Sequence, residues 1–219
     1  MAVKPARVLV IGCGPGAAEY VTPAARQAVA RAEVLVGSRR LLDLFPDHAG
    51  AKVAIDGRIH AAPEEIAAMA REGKTVAVLV GGDPGLFSIA RNVLAAAGRE
   101  NCEVVPGISS VQAAFARLAL DWADARLVSA HGRTPATAID DLGRSDKIAV
   151  LAGGRQGLAW AAAAAAGLRQ SHAAWLCEDL TLATEHVRRV TPEELARANA
   201  SSLAIVLLVR NSLLSGPSS

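Results

Sequence analysis

Aromatic residues are scarce: Phe, Trp and Tyr together make up 3% of the 219 residues. Any core must be built from Ala, Val, Leu and Ile. There are also few rings on which bases could stack, which argues against a nucleic-acid platform. Charge of one sign is lacking too, since a formal net charge of +2 gives no field to hold a phosphate backbone. No apolar run reaches the roughly 18 residues of a transmembrane helix, so no membrane span is expected. Cys13, Cys102 and Cys177 lie far apart, and His48, His60, His131, His172 and His186 are equally scattered. Without CxxC or HxxxH spacing, neither a disulfide framework nor a sequence-local metal site is expected. The opening Met1-Ala2-Val3-Lys4-Pro5 lacks the layout of a signal peptide, which makes the cytoplasm the default expectation.

What is present is a regular alternation. Short β-branched runs at Val8–Ile11, Val34–Val36, Lys52–Ile55, Val76–Val80 and Glu103–Val105 are separated by helical signals. Thr22-Pro23 supplies an N-cap and a first-turn proline, and Pro63-Glu64-Glu65 puts acids at the positive end of a helix dipole. Gly73 and Gly98 fall where helix C-caps belong. Apolar strands joined through helices predict an α/β fold whose first sheet is mainly parallel and covered on both faces. Later strands are expected at Arg126–Ser129, Ile148–Leu151, Ala173–Cys177, His186–Val190 and Ala204–Val209, with a helix over the alanine-rich Leu158–Ala166. Cys177 and His186 are too close for a crossover helix, so the second sheet must contain an antiparallel pair and be mixed. The stretch Leu120–Asp124 is the expected boundary, which gives α/β domains over 1–120 and 125–211. A Ser/Gly/Pro-rich tail from Asn211 onward (212–219 as a separate segment) is expected to be disordered or to begin a linker.

Three glycine-rich turns follow strands, at the edge where open α/β sheets bind ligands. Gly12-Cys13-Gly14-Pro15-Gly16-Ala17 fits the dinucleotide pattern GxGxxG/A formally. Pro15 stiffens that turn, however, and the best helix start comes several residues later. The second strand ends in Gly37-Ser38-Arg39-Arg40 instead of the acid that binds a ribose hydroxyl, although an arginine pair suits a phosphorylated ribose. Gly81-Gly82-Asp83-Pro84 has no P-loop lysine. Asp83 would repel phosphate but can accept from a hydroxyl or ammonium group, so a neutral or cationic ligand fits better. Pro106-Gly107-Ile108-Ser109-Ser110 leads into a helical stretch over Val111–Leu120, where a serine serves first as an N-cap. No GxSxG elbow surrounds it.

Taken in order, these segments resemble the tetrapyrrole methyltransferase superfamily. The resemblance rests on Val10–Gly16, Thr22–Ala25, Glu33–Gly37, Gly81–Pro84 and Val104–Ser110, and more loosely on Ile148–Gly153, Cys177–Leu180 and Ala204–Val209. Pro106–Ala116, Asp121-Trp122 and Val128-Ser129-Ala130-His131-Gly132-Arg133 are similar to one branch, the cobalamin-pathway precorrin C-5 methyltransferases acting on precorrin-6Y or cobalt-precorrin-7. The resemblance implies S-adenosylmethionine in a cleft between the two domains, leaving S-adenosylhomocysteine as product. It carries cofactor contacts to Gly81, Gly82, Asp83, Leu86, Ser109 and Ser110, and less directly to Ala152, Leu180 and Ala204. Gly14 and Pro15 would face the tetrapyrrole. Homodimers are the family habit, and some relatives are fused to, or partnered by, a C-15 methyltransferase and decarboxylase.

Methyl transfer to an electron-rich ring carbon needs no covalent enzyme intermediate, but one proton must leave or shift. His131 is the candidate base, because an imidazole titrates near working pH. Arg133 is the first choice for a substrate carboxylate, followed by Arg39, Arg40 and Arg155. Gly82→Arg is expected to abolish cofactor binding while leaving the fold intact. Other readings are a sibling methylase for another ring position, a methylase of a modified amino acid, an NADP-dependent oxidoreductase and a non-catalytic cofactor-binding subunit.

Overall fold

The structure, a computed structural model, describes residues 7–58, 60–132, 134–199, 201 and 203–214. The chain falls into two compact units, Met1–Ser109 and Ser110–Ser219. In the first, strands β1 (Val8–Gly12), β2 (Val34–Gly37), β3 (Ala51–Ala54), β4 (Val76–Val80) and β5 (Cys102–Val105) form one sheet. Its order is β3-β2-β4-β1-β5, with every pair parallel. β1 and β4 are buried along their whole length. That is why they read as unbroken apolar runs, with no alternation of polar residues. Val10 and Val78 face one core cluster, with Ile66 and Val93; Leu9, Ile11 and Leu79 face the other.

The helices of this unit are α1 (Pro23–Ala30), α2 (Arg39–Leu42), α3 (Ala62–Arg71) and α4 (Ala90–Ala97). Thr22 caps α1 as anticipated, its hydroxyl accepting from Ala25 N at 3.1 Å. Gly98 ends α4 at φ 82°.

The second unit contains α5 (Ser110–Arg117), β6 (Arg126–Ser129), α6 (Ile139–Leu142), β7 (Lys147–Leu151), α7 (Gly154–Leu168), β8 (His172–Glu178), β9 (His186–Val190), α8 (Pro192–Arg197), β10 (Ile205–Arg210) and α9 (Asn211–Leu214). Its sheet runs β6-β7-β10-β8-β9. Only β6 and β7 are parallel, and the other three pairings are antiparallel. The mixed sheet follows from the short β8–β9 hairpin. Thr191 and Glu194 close a reciprocal capping box at α8.

Two expectations shift. The boundary falls at Ser109/Ser110, not at Leu120–Asp124. α5 packs on β10, and the carboxylates of Asp121 and Asp124 both clamp the buried ammonium of Lys147 at the start of β7. The segment expected as the boundary is thus fastened to the second unit. The tail does not turn irregular at Asn211, because residues 211–214 form the short helix α9; residues 215–219 lie outside the described ones. No described helix is long and apolar enough to cross a membrane.

Candidate functional site

Sheet order in the first unit reverses between two neighbours. From β1 the chain passes to β2 on one side, and from β4 it passes to β5 on the other. The carboxyl ends of such a pair bound the crevice where open α/β sheets bind ligands. Here the turns that follow β1, β4 and β5 are locked together through backbone. Gly82 N donates to Gly14 O at 2.8 Å, and Cys13 N donates to Val80 O at 2.9 Å. A side chain on Gly107 would stand 2.3 Å from Gly82 O, and one on Gly12 would stand 2.6 Å from Gly107 N. The three backbones approach so closely that no larger residue fits at positions 12 or 107.

Asp83 fastens this junction. One carboxylate oxygen accepts from Gly85 N at 2.8 Å and the other from Gly107 N at 3.1 Å. Its first task is therefore to tie the β4 turn to the β5 turn, and both oxygens are engaged before any ligand arrives. Gly81 is different. It is exposed, and the one heavy atom standing within 4 Å of where its side chain would be is Nη2 of Arg40, at 3.2 Å. Gly81 thus leaves an open, side-chain-free face at the switch point.

Gly82 has φ 70°, a conformation that strains any L side chain. The expectation that Gly82→Arg spares the fold is corrected on that ground. Gly14 and Pro15 are buried, with Gly14 pinned to Gly82. Leu86 is half-buried in the Asp83 turn, its N–H donating to Asp83 O at 3.1 Å. Ser109 is buried, and Ser110 opens α5 as its first residue. The glycine turn after β1 does not run into a helix: a single 3-10 turn (Ala18–Tyr20) intervenes before α1. The dinucleotide arrangement, in which the helix N-terminus meets the pyrophosphate directly, is therefore not built here.

Burial raises the Cys13 thiol to about 12, and burial likewise raises Cys177 to about 12. Both stay protonated at neutral pH and are packing residues. No cluster of three or more metal-ligating side chains occurs among the described residues.

In the second unit His131 follows β6 at the carboxyl edge of the parallel β6–β7 pair. Its exposed ring lies across Gly153, where a side chain would meet Nδ1 at 1.7 Å. Arg133 lies outside the described residues. Ala152, Leu180 and Ala204 are all buried, so only backbone is on offer there. Ala152 N already donates to Ala204 O at 3.0 Å. Arg39 is exposed and its backbone N–H donates to Asp56 at 3.1 Å; Arg155 is exposed on the first turn of α7.

Two features escape sequence reading. Asp83 and Gly107 are 24 residues apart in their hydrogen bond, and nothing local in either segment signals it. Arg40 reaches Gly81 from a different strand-end turn, which only the strand order reveals.

Residues 7–196 match the family described as Tetrapyrrole (Corrin/Porphyrin) Methylases. The chain is 35% identical over 148 residues to a cobalt-precorrin-7 C(5)-methyltransferase of Salmonella typhimurium, a match covering 68% of this chain and 72% of the relative. Among solved structures, a precorrin-6Y methylase of Archaeoglobus fulgidus is similar at 25% identity and TM-score 0.71, covering 93% of this chain and 98% of the other. A uroporphyrin-III C-methyltransferase of Thermus thermophilus, complexed with S-adenosyl homocysteine, superimposes at 24% identity and TM-score 0.73, covering 93% and 92%.

Proposed function

Because the chain belongs to the tetrapyrrole (corrin/porphyrin) methylases, we propose that it transfers a methyl group from S-adenosylmethionine to C-5 of a precorrin, either precorrin-6Y or cobalt-precorrin-7. The observation that carries the ring position is the likeness to the Salmonella C(5) enzyme over two thirds of this chain. The first unit fits the donor. Its switch-point edge offers an exposed glycine face at Gly81, backbone polar groups and no phosphate-binding lysine, as a cationic sulfonium with an attached nucleoside requires. Bound there, the donor supplies a methyl that forms a bond to the ring carbon as the sulfonium bond breaks, leaving a thioether while the ring sheds one proton.

The turns of the first unit and, for His131 and Arg133, the family likeness support these roles for the chain's own residues. Gly81, Gly82, Leu86 and Ser109 line the donor edge, and the rigid junction of Gly12, Gly82 and Gly107 holds it in one geometry. Such pre-organisation matters because orientation alone contributes about 7–11 kcal/mol toward a bimolecular barrier. Asp83 acts by keeping the two turns together. Gly14 and Pro15 sit on the macrocycle side of the β1 turn, His131 takes the ring proton, and Arg133 pairs with a carboxylate arm.

Turnover with each substrate form tests the reading. Purified protein is incubated with S-adenosylmethionine and either precorrin-6Y or cobalt-precorrin-7, and the product is weighed by mass spectrometry. Gain of one methyl on either form is expected; no gain on both overturns the proposal.

A further inference from the structure

Arg40 stands out among the cations of the first unit. Its Nη1 is buried and has no hydrogen-bond partner among the described residues. Its Nη2 lies 3.2 Å from the side-chain position of Gly81. The residue comes from α2, just past β2, and its guanidinium lies beside Gly81, which follows β4, and within electrostatic reach of Cys13, which follows β1. It therefore places a guanidinium at the switch point, beside the exposed Gly81.

A buried guanidinium nitrogen without an acceptor is costly, and no ion pair among the described residues offsets it. Burial lowers the Arg40 guanidinium below the ordinary arginine value, and only Cys13 acts in the other direction. Cys13, however, is a protonated thiol at neutral pH, because burial pushes it up to about 12. No ion pair of Arg40 occurs among the described residues; its neighbour Arg39 has Asp56, at 4.0 Å. The two end nitrogens of a guanidinium form the fork that binds a carboxylate with both oxygens. Nη2 is the nitrogen beside Gly81 and Nη1 is the one short of an acceptor.

We infer that Arg40 is a carboxylate anchor, binding a ligand carboxylate delivered at the open face of Gly81. The identity of the ligands rests on the methyltransferase reading. Two carboxylates then have access to this chemistry, the amino-acid end of the methyl donor and an acid arm of the macrocycle.

Arg40→Met removes the charge and keeps the length; Arg40→Lys keeps the charge and removes the fork. Thermal unfolding without ligand is measured first, then calorimetric affinities for S-adenosylhomocysteine, for its decarboxylated analogue, and for cobalt-precorrin-7. Arg40→Met is expected to unfold at or above the wild-type temperature, since it deletes an unsatisfied buried donor. It is expected to lose about ten- to a hundredfold in affinity for one carboxylate ligand, with Arg40→Lys recovering only part. A loss for S-adenosylhomocysteine that is absent for the decarboxylated analogue assigns the anchor to the donor. A loss for the macrocycle alone assigns it to an acid arm. Unchanged affinity for both overturns the inference, as does a lowered unfolding temperature with both affinities intact, which marks Arg40 as structural. A failed methyltransferase reading shows instead as wild-type protein that transfers no methyl.

Discussion

The locked junction of the first unit makes Gly107→Ala a demanding test. On the present backbone the added methyl would stand 2.3 Å from Gly82 O and 2.8 Å from both C and Cα of Gly12. All three are backbone atoms, so no side-chain rotation relieves the contact. Non-bonded heavy atoms settle at about 3.5 Å or more, so the β5 turn must move by roughly an ångström. Moving it draws Gly107 N away from Asp83, which accepts from it at 3.1 Å. Overpacking of this kind costs about 1–3 kcal/mol, and a hydrogen bond to a charged acceptor is worth about 1.5–3 kcal/mol. The same displacement relieves one cost by incurring the other, so the two do not simply add, and about 3 kcal/mol of destabilisation is expected. Urea unfolding followed by circular dichroism reads this as a lowered midpoint, and calorimetry reads a weakened affinity for S-adenosylhomocysteine. Gly143→Ala is the control. That residue has φ −59°, and its new methyl would find its nearest neighbours at 3.6 Å, so it should be neutral or gain about 0.4–1 kcal/mol. A Gly107→Ala protein with the wild-type midpoint and affinity would refute the reasoning.

Gly81→Leu should stay within about 0.5 kcal/mol of wild-type stability, because only the flexible end of Arg40 must give way. It should weaken S-adenosylhomocysteine more than about tenfold; full affinity removes Gly81 from the donor site. His131→Ala should lower kcat about a hundredfold with S-adenosylhomocysteine affinity unchanged, and an unchanged kcat takes the proton role from it. In the second unit, Arg117 donates to both oxygens of Glu185, and this bonding holds the Glu185 carboxyl below its usual value, with Thr181 N–H adding to the effect. A depressed carboxylate stabilises the folded state above its unfolded pKa, and that contribution is lost as pH falls through the folded value. Glu185→Gln should therefore cost about 1 kcal/mol near neutral pH, a difference that shrinks as the pH falls below about 4. An equal gap at both pH values contradicts the assignment.

The strands anticipated from β-branched runs all form, with ends shifted by at most a residue or so. Buried parallel strands such as Val76–Val80 announce themselves because both faces are covered and every position is apolar. The alanine-rich helix extends further than expected, over Gly154–Leu168, since the glycines before Leu158 sit in its first turn. The helix expected over Val111–Leu120 stops at Arg117, where Leu118 and Leu120 both turn their N–H groups back to Phe115 O and Ala119 takes φ 53°. Gly81 and Gly82 are legible as a strand-end turn because glycine and proline punctuate the end of an apolar run. Their unequal jobs are not, because Gly82 is locked by Gly14, 68 positions away in the chain order of their paired bridge, while Gly81 faces outward. Asp83 read as a ligand acceptor for the same reason: its partner, Gly107 N, belongs to the next strand-end turn. Pairings of this kind depend on strand order, which local patterns do not encode.

The central claim is that this chain places a donor methyl on C-5 of a precorrin. Incubation with S-adenosylmethionine carrying a carbon-13 methyl, followed by carbon NMR of the isolated product, tests it most directly. One labelled methyl bonded to C-5 is the predicted result. A label at another ring carbon, or none in the macrocycle, would contradict the account.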